Sequence, residues 1–139
     1  MTTGYAGDIS PRDAWKLLCR DAQSVLVDVR TPAEWTYVGV PDMGEIGKKP
    51  VLVPWMDFPT MERNDDFVAQ VGEQIGRDAP LVLLCRSGVR SRAAAIALTA
   101  AGYGPCYNIE TGFEGDPNAQ RHRGTVSGWK VDGLPWAQT

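Results

Sequence analysis

The apolar positions of this chain fall into two patterns: short unbroken runs, and residues spaced by three or four. The run "SVLVDV", Ser24 to Val29, is interrupted only by Asp28, which predicts a strand buried on both faces. "PLVLLC" is the most apolar run and predicts a central strand ending at Cys85. Val51 to Val53 and Cys106 to Ile109 predict two further short strands. Helical spacings lie between them. In "ISPRDAWKLLC", Ser10 is placed to cap, Pro11 suits the first turn, and Asp13 suits the positive end of the dipole. Ala14, Leu17 and Leu18 form the buried stripe of that helix, with Trp15 and Cys19 beside it. "TPAEW", Thr31 to Trp35, repeats the pattern of cap, proline and acid and begins a short helix. Apolar residues at 67, 68, 71 and 75 predict a helix within 61–75. "SRAAAIALTAAGYG" predicts a helix of strong formers ended by Gly102.

Strands alternating with helices at this spacing imply an α/β fold with a parallel sheet covered on both faces. Its crossovers are then right-handed. Ligands of such sheets bind beyond the carboxyl ends of the strands. Cys85 falls at that end of the most apolar strand, and Asp28 and Arg30 fall at the same end of another. After Ile109 the chain loosens into glycine-rich polar sequence.

Composition narrows the function classes. A length of 139 residues suits a single domain spanning 1–139. The net charge of −3 speaks against wholesale nucleic-acid binding. No apolar stretch reaches the roughly 18 residues that span a bilayer, so no membrane partner is expected. "MTTGYAGDIS" has neither a basic start nor an apolar run, so no leader and a cytoplasmic location are expected. Three widely spaced cysteines, at 19, 85 and 106, do not make a disulfide framework. One histidine and no paired cysteines leave no structural zinc site, and neither metal nor cofactor is expected.

Each cysteine therefore needs its own account. Cys19 and Cys106 sit in apolar patterns without clustered charge and read as small buried hydrophobes. Cys85 differs, because Arg86, Arg90, Gly88 and a helix start all crowd behind it. The N–H groups of a first helical turn have no partners within the helix. If residues Cys85, Arg86, Ser87, Gly88, Val89, Arg90 and Ser91 curl around the sulfur, those donors form an anion cradle. Gly88 permits backbone angles that other residues resist. The helix dipole and the arginines favour an accessible, reactive thiolate, a nucleophile that needs no histidine base. The lone His122 lies far along the chain.

"CRSGVRS" resembles the active-site loop of rhodanese-type sulfurtransferases. "VLVDVRTPAEW" resembles that family's second-strand signature, "AAAIALTAAGY" the continuation after its loop, and "GLPW" its closing segment. The resemblance covers most of the chain. It implies a rhodanese-like three-layer sandwich with a central five-stranded parallel sheet flanked by helices. It also implies an activity: Cys85 takes a sulfane sulfur from a small anionic donor such as thiosulfate. The resulting persulfide passes that sulfur to a thiol, cyanide or protein acceptor. The same fold serves phosphatases and arsenate reductases, whose loop is one residue longer and ends in arginine. Here Ser91 stands at that position, between Arg90 and Arg92. A third possibility is a non-catalytic rhodanese module that binds a partner or senses sulfide. Such modules usually lack the cysteine.

Two departures from the family pattern stand out. "YVGVPDMGEIGKK" replaces a stretch that usually carries a histidine, while Gly39 and Pro41 remain. A glycine, aromatic and tryptophan motif is split, with Gly112 and Phe113 parted from Gly128 and Trp129. Residues 115–127 then form an inserted loop, either a solvated excursion or a cover that shapes acceptor entry. Asp28, Arg30 and Arg92 are expected in a charged network under the cysteine loop, Asp28 being paired with Arg30 or Arg92. Trp35, Trp55 and Phe113 either wall the pocket or belong to the core.

Overall fold

A computed structural model describes residues 4–57, 60 and 62–138. Its strands are β1 (Gly7–Ile9), β2 (Val25–Asp28), β3 (Val40–Pro41), β4 (Val51–Leu52), β5 (Met56–Asp57), β6 (Glu62–Arg63), β7 (Leu81–Leu84), β8 (Cys106–Ile109) and β9 (Trp136–Ala137). Its helices are α1 (Pro11–Arg20), α2 (Pro32–Tyr37), α3 (Phe67–Gly72) and α4 (Val89–Ala100), with a 3₁₀ turn at Gly44–Ile46. Five strands form one parallel sheet in the order β1-β8-β7-β2-β4. Two small antiparallel ribbons, β3 with β9 and β5 with β6, lie outside it.

All four residues of the central β7 are buried. Because side chains alternate along a strand, β7 feeds two cores. Leu81 and Leu83 pack with Phe67 and Val71 of α3 and Ala94, Ala95 and Leu98 of α4. Val82 and Leu84 pack with Ala14 and Leu18 of α1, and with Met43, Phe113 and Trp129. Burying each such leucine or valine contributes about 1.5–3 kcal/mol. Helices over both faces make the three-layer α/β sandwich. The parallel register sets Asp28 beside Leu84, and Leu83 beside Asn108. The residues that follow β2 and β7 therefore emerge at one edge of the sheet.

Local chemistry explains three of the helix ends. Ser10 Oγ accepts from Asp13 N–H at 3.1 Å, with proline opening α1. Thr31 and Glu34 form a reciprocal capping box at the start of α2. Beyond α4, Gly102 adopts φ +92° and Tyr103 N–H returns to Leu98 O at 3.0 Å.

Several expectations are corrected. The fifth strand, β1, has no apolar run to announce it: three residues at a sheet edge, one of them Asp8, carry no periodic signal. The helix sought within 61–75 shrinks to α3. Asn64 accounts for its late start, accepting Asp66 N–H at 3.1 Å and donating to Pro54 O and Gln70 Oε1. That side chain holds a turn where the helix was expected to run. Met61 lies outside the described residues, as do Met1 to Thr3 of the expected leaderless start. Cys19 is exposed rather than buried, because the apolar stripe of α1 runs through Ala14 and Leu18. α4 begins at Val89, two residues before the expected Ser91, with Gly88 as its cap. Among the described residues, no helix is long and apolar enough to cross a membrane.

Candidate active site

Cys85 leaves β7 at its carboxyl end and turns directly into α4. The turn needs glycine at one point. Gly88 sits at φ +102°, and a Cβ there would lie 2.2 Å from Glu110 O. This tight approach aims the Gly88 N–H at Cys85 Sγ, 3.1 Å away. Ser91 Oγ stands 3.2 Å from the same sulfur. Among the described residues these are the two donors on Sγ. The amides of Arg86, Ser87, Val89 and Arg90 make no such bond to it. Cys85 itself is 1% exposed, so the sulfur lies on the floor of its loop and is closed to solvent at rest. The expectation of an openly accessible sulfur is corrected accordingly.

A polar chain stands behind Ser91, buried through Asn108 and ending on the exposed Asp8. Asn108 Nδ2 donates to Asp8 Oδ1 at 2.9 Å and to Gly88 O at 3.2 Å. That pairing turns Asn108 Oδ1 toward Ser91 Oγ, at 2.5 Å. Ser91 has one hydroxyl proton for two neighbours. When that proton rests on Asn108, Ser91 Oγ can accept from the thiol. When the sulfur is ionised, the proton can swing onto it. Asn108 and Asp8 were missed in the sequence. The available signal was an asparagine inside the short apolar strand "CYNI", a polar group that burial obliges to find partners.

The arginines separate into distinct roles. Arg90 forks onto Glu34 of α2, at 2.7 and 3.0 Å. Burial opposes both charges, but their hydrogen bonds and mutual attraction win. The Glu34 carboxyl is held below its ordinary value, and the Arg90 guanidinium is raised above its own. The nearby Asp28 carboxylate adds to the hold on Arg90. Arg86 is exposed and Ser87 half-buried, while Val89 is exposed at the mouth.

Asp28 and Arg30 are fully buried and paired, at 2.9 and 2.6 Å, and Arg30 also donates to Gly39 O at 2.8 Å. The Arg30 guanidinium lies 4.3 Å from the centre of the Phe113 ring. Phe113 N–H in turn donates to Cys85 O at 2.8 Å. The pair thus supports the cysteine loop through Phe113. Arg92 does not join it: that side chain is exposed on α4, 3.9 Å from Asp8. Trp55 packs edge-on to Phe67, 5.1 Å between centres, against the core cluster that includes Cys85.

Residues 115–127 leave and return at one narrow neck. Trp129 N–H donates to Gly112 O at 2.9 Å, and Lys130 N–H donates to Phe113 O at 3.2 Å. Gly115 approaches Ser127 so closely that a Cβ would lie 2.1 Å from Ser127 O. The near side of the neck is stapled to the cysteine loop, since Glu114 and Gly115 N–H both donate to Arg86 O, at 3.0 and 3.1 Å. The separated halves of the glycine-aromatic-tryptophan motif are therefore neighbours in space.

A parallel five-stranded sheet with cysteine at the mouth of a helix after its central strand defines the rhodanese class of fold. The chain belongs to this rhodanese-like family, in the group described as the STR4 middle domain, whose model matches residues 6–139. The crystal structure of Rv0390 from M. tuberculosis is similar throughout, with a TM-score of 0.91 and 47% identity, covering 97% of this chain and 99% of that one. The Rickettsia conorii protein RC0915 is 37% identical over 129 residues, 93% of this chain and 95% of its own length. A protein of Allochromatium vinosum named sulfurtransferase is 28% identical over 111 residues, 80% of this chain and 76% of its own.

Proposed function

We propose that this protein is a sulfurtransferase working through a persulfide on Cys85. The observation that carries the reading is the convergence of the Gly88 N–H and the Ser91 hydroxyl on Cys85 Sγ at the mouth of α4. Those donors stabilise a thiolate on Sγ, the nucleophile of the reaction. The Cys85 thiolate attacks the outer sulfur of thiosulfate. A new S–S bond forms, the old one breaks, and sulfite departs with the bonding pair. A thiol, cyanide or protein thiolate then attacks the terminal sulfur and frees Cys85. Splitting the transfer in two replaces one difficult step by two easier ones. Arg86 and the paired Arg90 hold the departing sulfonate. Because Cys85 is 1% exposed, the ring of residues around the sulfur yields before a donor makes contact. The sulfurtransferase name of the Allochromatium relative supports the same reading.

Intact mass after incubation with thiosulfate tests it. One added sulfur, about 32 Da, is expected, and Cys85→Ser abolishes the gain. Turnover of an aryl phosphate with no sulfur adduct would instead make the protein a phosphatase on the same fold.

A further inference from the structure

A cleft of about 520 Å³ adjoins the cysteine loop, lined by Glu34, Val38, Arg86, Arg90, Glu114, Arg121 and Arg123. Four guanidinium groups face two carboxylates there, in a chain whose net charge is negative. Glu34 is forked by Arg90, while Glu114 forms no ion pair among the described residues, so three guanidinium groups share one carboxylate there. Among the described residues, Arg86, Arg121 and Arg123 form no ion pair. Arg121 and Arg123 come from the 115–127 loop, and their placement is built. Asn118 Oδ1 accepts the N–H groups of Gln120 and His122, at 2.9 and 3.0 Å, and Asn118 O accepts that of Arg121 at 2.9 Å. Arg121 is held at φ +67°, a conformation that ordinarily costs a non-glycine residue about 1–3 kcal/mol. Arg123 donates to Gly115 O at 2.6 Å, locking its guanidinium to the neck. That neck hydrogen-bonds to Arg86 O, so the loop arginines are positioned relative to the cysteine loop itself.

We infer that Arg121 and Arg123 form a subsite for the anionic tail of a small thiol or persulfide, and so select carboxylate-bearing substrates over neutral ones. The inference rests on the sulfurtransferase reading and names its substrate class. Thiosulfate has five heavy atoms and does not need a cleft of this size, which falls within the range of about 300–1,000 Å³ typical of small-molecule sites. Guanidinium forks match carboxylate geometry. The reaction balances without an outside oxidant. Cys85 thiolate attacks the outer sulfur of R–S–S⁻, that S–S bond breaks, and R–S⁻ leaves with the bonding pair. The reverse order delivers sulfur to a thiolate acceptor.

Two measurements test the subsite. In the first, enzyme preloaded with sulfur is offered glutathione, 2-mercaptoethanol or cysteamine, which run from anionic through neutral to cationic. The ratio of wild-type to R121Q/R123Q kcat/KM is expected to be about tenfold larger for glutathione than for 2-mercaptoethanol, and smallest for cysteamine. The charge-retaining R121K/R123K is expected to fall between wild type and R121Q/R123Q, because it keeps the charge and loses the fork. Equal ratios for the three thiols would overturn the inference. In the second, S-methylglutathione, which cannot accept sulfur, is titrated calorimetrically into both proteins. Binding weakened about tenfold by R121Q/R123Q supports the subsite. Equal binding, or none to wild type at millimolar concentration, overturns it. Because this titration needs no sulfur transfer, a wild type that forms no persulfide would sink the proposed activity while the subsite is judged separately.

Discussion

Glu34 carries two tasks on one carboxylate. Its Oε1 accepts from Thr31 N–H at 3.3 Å, closing the capping box of α2, and from Arg90 at 2.7 Å. A single side chain thus ties the start of α2 to the first turn of α4. In sequence it reads only as the acid of a helix start, because Arg90 lies 56 positions away. Glu34→Gln keeps the shape and removes the charge. At neutral pH the loss is expected to be about 1–2 kcal/mol of stability, as for a partly buried charge-assisted hydrogen bond. The pH dependence has a definite sign. The folded-state pKa of Glu34 lies below its ordinary value, so its contribution is present above the unfolded carboxylate pKa of about 4.3. It disappears as pH falls through the lower folded value. Urea denaturation at pH 7 and pH 3 should therefore show wild type and Glu34→Gln well separated at the first and converging at the second. An unchanged gap at pH 3 would contradict the ion pair as its source.

The join of β7 to α4 is the element on which the chemistry depends, and it tolerates little change. Gly88→Ala places a methyl 2.2 Å from Glu110 O at a φ of +102°, so either the loop or β8 must shift. A destabilisation of at least about 2 kcal/mol is expected, with a matching fall in the rate of sulfur loading as the Gly88 N–H leaves Sγ. Denaturation midpoints and timed intact mass read the two effects, and a variant with wild-type stability would disprove the close approach. This join was the most legible part of the chain. A long apolar run, a glycine and a helix of strong formers all act locally, and local signals survive in sequence. β2 and β8 were legible for the same reason. β1, β3, β5, β6 and β9 have two or three residues each and exist only through their partners, so no periodicity marks them. Asn108 and Glu34 likewise act on groups of α4 distant in sequence, Ser91 and Arg90. Arg92 was misplaced because adjacency in the chain says nothing of which helix face a side chain takes.

At the scale of the whole molecule, core and cover are physically separable. None of residues 116–127 is buried, whereas Phe113 and Trp129 on either side of the neck are fully so. Trp129 packs edge-on to Trp15 at 5.8 Å and donates to Pro135 O at 2.7 Å. The loop's own hydrogen bonds, Asn118 Nδ2 to Thr125 Oγ1 among them, hold its shape and not the sheet's. Replacing residues 117–125 by two glycines keeps the neck, because Gly115 and Ser127 already touch. Shortening a loop changes its closure entropy only slowly, so stability is expected to move by less than about 1 kcal/mol. Trp129→Ala, by contrast, opens a cavity and leaves Pro135 O short of its donor, for a cost of about 3–5 kcal/mol. Thermal melts of the two variants separate the contributions: a shallow shift for the shortened loop and a deep one for the tryptophan. A large loss from the loop deletion would mean that 115–127 belongs to the core rather than covering it. The contrast follows from burial alone, and it leaves the loop free to differ in its arginines while the tryptophan beneath it stays bound to the sheet.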